Sequence, residues 1–201
     1  MSDDVEQIFG GSPLMAIFRH QTADRAVELA IEAWGLGIDS VEIPLQSEED
    51  LRGLRAVVAL AAERGKVVGA GTIVDPDQVR VAVEAGAGFL VSPGLDPRVV
   101  RAAEEAGIAL IPGVATPSEV QLALSLGATW LKAFPAQWLG VDWFRHIRGP
   151  FPQARFIATG GMDATNARQF LDAGVRVVAV GSALEDPAQL GLLAELVRER
   201  R

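Results

Sequence analysis

One unit of pattern recurs along this chain and limits what it can fold into: an amphipathic stretch, a glycine, a short apolar run, then a turn rich in Gly, Pro, Ser or Thr. It is visible in "GLGIDSVEIP", "ERGKVVGAGT", "EAGAGFLVSPG", "EAGIALIPG", "SLGATWLKAFP" and "DAGVRVVAVGS". "FPQARFIATGG" repeats the strand ending with Pro152 as the break, and "SPLMAIFRH" supplies a first strand with no helix before it. Gly37, Gly65, Gly86, Gly107, Gly127 and Gly174 read as the residues just past helix ends, where a left-handed backbone is easy only for glycine.

The apolar runs are short and β-branched and show little polar alternation, as expected of strands buried on both faces. Helical stretches lie between them, over about 22–36, 48–64, 76–86, 96–106, 117–127, 140–148, 163–173 and 186–200. Thr22 precedes the first of these, and Asp75-Pro76, Asp96-Pro97 and Thr116-Pro117 place a capping side chain before a proline in the first turn. Eight strand–helix units predict a single-domain α/β fold, the (β/α)8 TIM barrel, over residues 13–201, with 1–12 as a flexible N-terminal segment. At 201 residues and 49% hydrophobic the chain can bury such a core, with each unit near minimal. A doubly wound open sheet is the alternative, but no G-x-G-x-x-G follows the first strand to support a dinucleotide-binding version of it.

In a barrel the chemistry sits where strands run into the following loops. Those positions hold Arg19, Glu42, Thr72, Ser92-Pro93-Gly94, Pro112-Gly113, Lys132, Thr159-Gly160-Gly161 and Gly181-Ser182. Lys132 stands out because the chain has only two lysines, and this one lies inside "ATWLKAFPAQ", among apolar and aromatic neighbours. Lys66 opens its strand instead of closing it, at the opposite face of the barrel. A free lysine is almost wholly protonated at neutral pH, but desolvation by Trp130 and Phe134 would disfavour the ammonium. A neutral amine there can attack a ketone and form a Schiff base. The alternative is a solvated or ion-paired lysine at the rim. Glu42 in "IDSVEIP" is its clearest partner, as a general acid–base group or as half of a structural ion pair with Arg19 or Lys132.

"ATGGMDATNARQF" and "VGSALEDPAQL" put Gly160-Gly161 and Gly181-Ser182 between the last two strands and their helices. Backbone N–H groups at such turns bind anions, and the loops after strands 7 and 8 are the usual phosphate site of this fold. No P-loop is present, which argues against a nucleoside triphosphate.

The remaining composition narrows the function classes. A net charge of −8 argues against nucleic acid or an anionic membrane surface as partner. The chain has no cysteine, and its two histidines, His20 and His146, are far apart and read as surface or loop residues. No metal site is therefore expected, although magnesium on Glu42 stays open. Trp34, Trp138 and Trp143 suit helix packing or an oligomer interface. No apolar run nears the ~20 residues of a membrane span, and "MSDDVEQIFGGS" lacks the features of a secretion signal, so a cytoplasmic location is expected.

"SVEIPLQS", "VGAGTI", "VSPGL", "IPGVATPSE", "LKAFPA", "ATGG" and "VGSAL" occur in this order. Over about residues 13–185 the chain resembles the class I 2-keto-3-deoxy-6-phosphogluconate aldolase family, which includes 6-phosphogalactonate and 4-hydroxy-2-oxoglutarate aldolases. The resemblance implies a Schiff-base lysine at Lys132 and an acid–base glutamate at Glu42. It implies a pyruvate pocket at Thr72, Pro93, Phe134 and Thr159, and phosphate-binding turns at Gly160, Gly161 and Ser182. Gly181 belongs to the last of those turns. The implied partner is a phosphorylated keto acid, with no cofactor and a homotrimeric assembly. Phosphogluconate-type members often carry "LRT" after the glutamate strand, whereas this chain reads "PLQS" with Gln46 in that place. Together with Arg19 in "AIFRH", this leans towards the phosphogalactonate type. The alternatives are 4-hydroxy-2-oxoglutarate cleavage, a sugar-phosphate isomerase or epimerase using Glu42 as base, and a non-catalytic phosphosugar binder.

Overall fold

A computed structural model describes residues 2–200, with side chains from Val5 onward. Its strands form one all-parallel sheet. They are β1 (Leu14–Ile17), β2 (Ser40–Pro44), β3 (Val67–Gly71), β4 (Phe89–Val91), β5 (Leu110–Ile111), β6 (Gly113–Val114), β7 (Trp130–Ala133), β8 (Arg155–Thr159) and β9 (Val177–Val180). The hydrogen-bonded order is β5-β4-β3-β2-β1-β9-β8-β7-β6. The two ends of that order are consecutive in sequence, so the sheet closes on itself as a (β/α)8 barrel. Pro112 splits the fifth strand, because it has no N–H to donate. One half pairs with β4 and the other with β7, and the Pro112 carbonyl still accepts from Lys132 N at 2.9 Å.

The helices are α1 (Ser2–Ile8), α2 (Ala23–Gly35), α3 (Glu48–Ala62), α4 (Pro76–Glu84), α5 (Pro97–Glu105), α6 (Pro117–Ser125), α7 (Ala136–Leu139), α8 (Val141–Ile147), α9 (Ala167–Asp172) and α10 (Pro187–Arg200). A 3-10 turn spans Ser182–Glu185. The capping signals act as read. Thr22, Asp75, Asp96 and Thr116 each accept a backbone N–H of the first turn, and Thr116 with Glu119 completes a reciprocal capping box. All six glycines assigned to helix ends have positive φ.

The core has two layers separated by the sheet. Leu14, Ala16, Val41, Ile43, Leu131, Ala133, Phe156 and Ala158 face the helices. Met15, Ile17, Phe89, Val91, Ile111, Trp130, Ile157 and Val177 fill the barrel interior. Alternation along each strand therefore separates two apolar environments, which is why the sequence showed no polar face.

Three features differ from the sequence reading. Residues 1–12 were expected to be flexible and outside the barrel. Instead α1 places Val5, Ile8 and Phe9 in the interior core at the N-terminal end, with the Phe9 ring 5.1 Å from that of Trp130. The physical reason is burial: the interior is open at its base, and an apolar i, i+3, i+4 face closes it. The helical stretch expected over 163–173 begins only at Ala167, because Asp163 and Asn166 hold residues 163–166 in a side-chain-bonded turn. The short helix α7, directly after the Lys132 strand, was not anticipated.

Candidate active site

Strand alternation decides the direction of the two charged residues. In β2, Val41 and Ile43 point to the helices, so Glu42 points inward. In β7, Leu131 and Ala133 point to the helices, so Lys132 points inward on the same side as Trp130. The two meet inside the ring: Lys132 Nζ lies 3.9 Å from Glu42 Oε1, with Glu42 fully buried and Lys132 2% exposed. Neither Glu42 oxygen has a hydrogen-bond partner among the described residues. The Phe134 ring lies over the amine, 5.4 Å from Nζ to the ring centre.

Two glycines allow close approaches around this pair: Gly71, which the sequence reading gave no role, and Gly113, which it named only as a strand-end position. A Cβ on Gly71 would lie 1.9 Å from Glu42 Oε1, so the carboxylate rests directly on that backbone. A Cβ on Gly113, the register partner of Lys132, would lie 2.2 Å from the Pro93 carbonyl. "GAG" and "PG" were visible as turn signals, but their partners across the barrel were not. Gly71→Ala is expected to displace the carboxylate by about an ångström and lower kcat/KM roughly 10²-fold. Steady-state kinetics check this, with circular dichroism showing that the barrel has formed.

The predicted rim residues fall into two groups. Arg19, Phe134, Thr159, Gly160, Gly161, Gly181 and Ser182 line one cavity of about 500 Å³, together with His20, Gln137, Asp163 and Glu185, which the sequence reading had not assigned to a site. The Thr159 hydroxyl is buried without a hydrogen-bond partner among the described residues. Gln46, Thr72 and Pro93 do not line this cavity. Gln46 accepts from Arg19 Nη1 at 3.1 Å. Thr72 follows Gly71 with φ +58, a left-handed conformation unfavourable for a β-branched residue. Pro93 touches the site through Gly113.

The Gly160-Gly161 turn is held by side chains behind it. Asn166 Nδ2 donates to the Gly161 carbonyl at 2.8 Å, and Asp163 Oδ1 accepts from the Thr165 hydroxyl at 2.6 Å and from the Thr165 and Asn166 N–H groups. The Thr165 hydroxyl, aided by those backbone groups, holds the Asp163 carboxyl below the usual carboxylate range. Its stabilising contribution is therefore present above the unfolded value and fades as pH falls through the lower folded one. Among the described residues no set of three His, Cys, Asp or Glu side chains is gathered to hold a metal ion. No helix among them is long and apolar enough to cross a membrane.

A closed parallel barrel whose C-terminal mouth holds these side chains defines a (β/α)8 barrel enzyme. Comparison with known proteins makes it a lyase: residues 5–193 match the aldolase family model described as "KDPG and KHG aldolase", and the chain belongs to that family. It is 34% identical over 189 residues to the "Probable 2-dehydro-3-deoxy-6-phosphogalactonate aldolase" of Rhizobium meliloti (strain 1021), covering 94% of this chain and 87% of that one. It is 36% identical over 184 residues to the "KHG/KDPG aldolase" of Escherichia coli (strain K12), covering 91% and 85%. Among solved structures it is similar to the KDPG aldolase of Legionella pneumophila, "with pyruvate captured at low pH as a covalent carbinolamine intermediate". That likeness has a TM-score of 0.82 and 30% identity, covering 96% of each chain.

Proposed function

We propose that this chain is a Schiff-base aldolase that cleaves a 2-keto-3-deoxy-6-phospho sugar acid into pyruvate and glyceraldehyde 3-phosphate, with Lys132 as nucleophile and Glu42 as the acid–base group. The observation that carries this is the inward-facing Lys132–Glu42 pair, 3.9 Å apart and buried from bulk water.

The neutral Lys132 amine attacks the C2 ketone to give a carbinolamine. Glu42, directly or through a water, gives a proton to the departing hydroxyl, and an iminium forms. Glu42 then takes the C4 hydroxyl proton. The C3–C4 bond breaks, its electron pair passes into the iminium to give an enamine, and the aldehyde leaves. Protonation at C3 and hydrolysis release pyruvate and restore the amine. The iminium is the electron sink, so the reading calls for no metal or cofactor.

Arg19, Thr72 and Thr159 orient the pyruvate carboxylate, with Phe134 and Pro93 as the apolar walls. The Gly160, Gly161, Gly181 and Ser182 backbone receives the phosphate. Supporting the phosphogalactonate type, Gln46 stands where an arginine is common in the gluconate type, and Arg19 reaches over to it. The test is a coupled pyruvate-release assay on the gluconate and galactonate epimers and on unphosphorylated 4-hydroxy-2-oxoglutarate. At least about tenfold higher kcat/KM on the galactonate epimer is expected. Equal rates on both would remove the substrate assignment, and no pyruvate from any of the three would remove the aldol reading.

The assembly we propose is a homotrimer in the cytoplasm. Supporting an interface, Trp138 just outside the mouth is 87% exposed, an unusual position for an indole in a monomer. Sedimentation equilibrium giving a mass other than three chains, or recovery outside the cytoplasmic fraction, would overturn these parts.

A further inference from the structure

We propose that His20 is a specificity-determining residue that contacts the substrate's phosphate, its imidazole donating beside the backbone N–H groups of the two glycine turns. This rests on the reading of the mouth as a phospho-keto-acid site.

The first observation is conformational. His20 has φ +57, and the only other non-glycine residue with positive φ among the described residues is Thr72, also at the mouth. A Cβ in the left-handed region is crowded by its own backbone, and such outliers persist where the surroundings enforce them. Here the enforcing contacts are visible. The Gln21 side-chain amide donates to the Arg19 carbonyl at 3.3 Å and to Glu185 Oε1 at 3.2 Å. That ties the loop after β1 to the 3-10 turn that starts at Ser182. The loop is pinned across the phosphate turn, and His20 is the residue presented between the two anchor points.

The second observation is the charge of the cavity. His20 shares its lining with Gly160, Gly161 and Ser182. The titratable or charged lining groups are Arg19, His20, Asp163 and Glu185. Two of the four are carboxylates, and Arg19 is drawn towards Gln46. Both carboxylates are engaged by their own neighbours, Asp163 by the Thr165 hydroxyl and the N–H groups behind the turn and Glu185 by the Gln21 amide. His20 is an exposed ring donor on the same lining, and imidazole N–H to phosphate is a charge-assisted hydrogen bond.

The test compares the full-length protein with His20→Gly, which keeps the left-handed backbone and removes the ring, and His20→Asn, which tolerates the same φ with a shorter donor. KM and kcat are measured with the phosphorylated substrate and with 4-hydroxy-2-oxoglutarate, and inorganic phosphate is titrated directly against each protein. The expected result for His20→Gly is a rise of about tenfold or more in KM for the phosphorylated substrate and in the phosphate dissociation constant. KM for the unphosphorylated acid should move less than threefold, and the melting temperature should not fall, because glycine relieves the backbone. His20→Asn should fall between the two. Phosphate affinity within twofold of the parent overturns the inference, as does an equal rise in KM for both substrates or an absence of phosphate binding by the parent. Should no keto acid be cleaved, the aldol reading fails separately, and the phosphate titration alone still decides the role of His20.

Discussion

Lys132→Ala is expected to abolish pyruvate release, lowering kcat/KM by at least about 10⁴-fold, and to remove the covalent adduct that borohydride traps with pyruvate. The alternative role, a structural ion pair, makes the opposite prediction about where the loss appears. A buried pair offsets the desolvation of its charges only when the remaining lone pairs and protons are also hydrogen-bonded. Here the separation is 3.9 Å, and both Glu42 oxygens lack a hydrogen-bond partner among the described residues. Such a pair is a poor stabiliser. The double variant Lys132→Met with Glu42→Leu is therefore expected to be as stable as the parent or more so, by up to a few kcal/mol, while inactive. Chemical denaturation measures the first property and borohydride trapping the second. Full turnover by Lys132→Ala would sink the nucleophile assignment, and a parent that gives neither pyruvate nor a trapped adduct but interconverts sugar phosphates would favour an isomerase or epimerase.

Glu42→Gln is expected to lower kcat by about 10²–10⁴-fold, the usual contribution of a positioned acid–base group. The substitution keeps the shape that rests on Gly71, so packing changes little. The rate of adduct formation with pyruvate separates the two possible roles. Were Glu42 only a counter-charge, removing it would leave a buried ammonium unpaired, favour the neutral amine and speed the first addition. As a proton relay its loss slows the carbinolamine-to-iminium step, so trapping should be slower. Trapping at or above the parental rate, with turnover intact, would assign Glu42 an electrostatic role alone.

The parts of this protein legible in its sequence are those fixed by neighbours in the chain. A helix cap depends on a side chain and a backbone N–H two or three residues away, so Thr22, Asp75, Asp96 and Thr116 could be read directly. The same holds for glycines at helix ends, whose left-handed backbone is a local requirement. Lys132 and Glu42 were legible as anomalies, charges inside apolar strands, but their direction came only from the two core layers on either side of the sheet.

What escaped the sequence depends on residues far apart in it. The face of α1 bearing Val5, Ile8 and Phe9 reads as a short acidic segment until the open base of the barrel gives it something to cover. Pro112 looks like a turn, yet it splits one strand between two partners. Gly71 and His20 carry no local sign of their surroundings, a carboxylate from the adjacent strand for the first and a cavity shared with glycine turns from the other end of the chain for the second.

By itself the sequence determined the number of strand–helix units and their caps, and marked the two charges inside apolar strands, because each follows from residues close together in the chain. Only the tertiary structure decided that those charges meet, that the base is sealed by α1 and that His20 shares a wall with the glycine turns. Closing eight units into a ring sets distances between segments that no short-range rule contains.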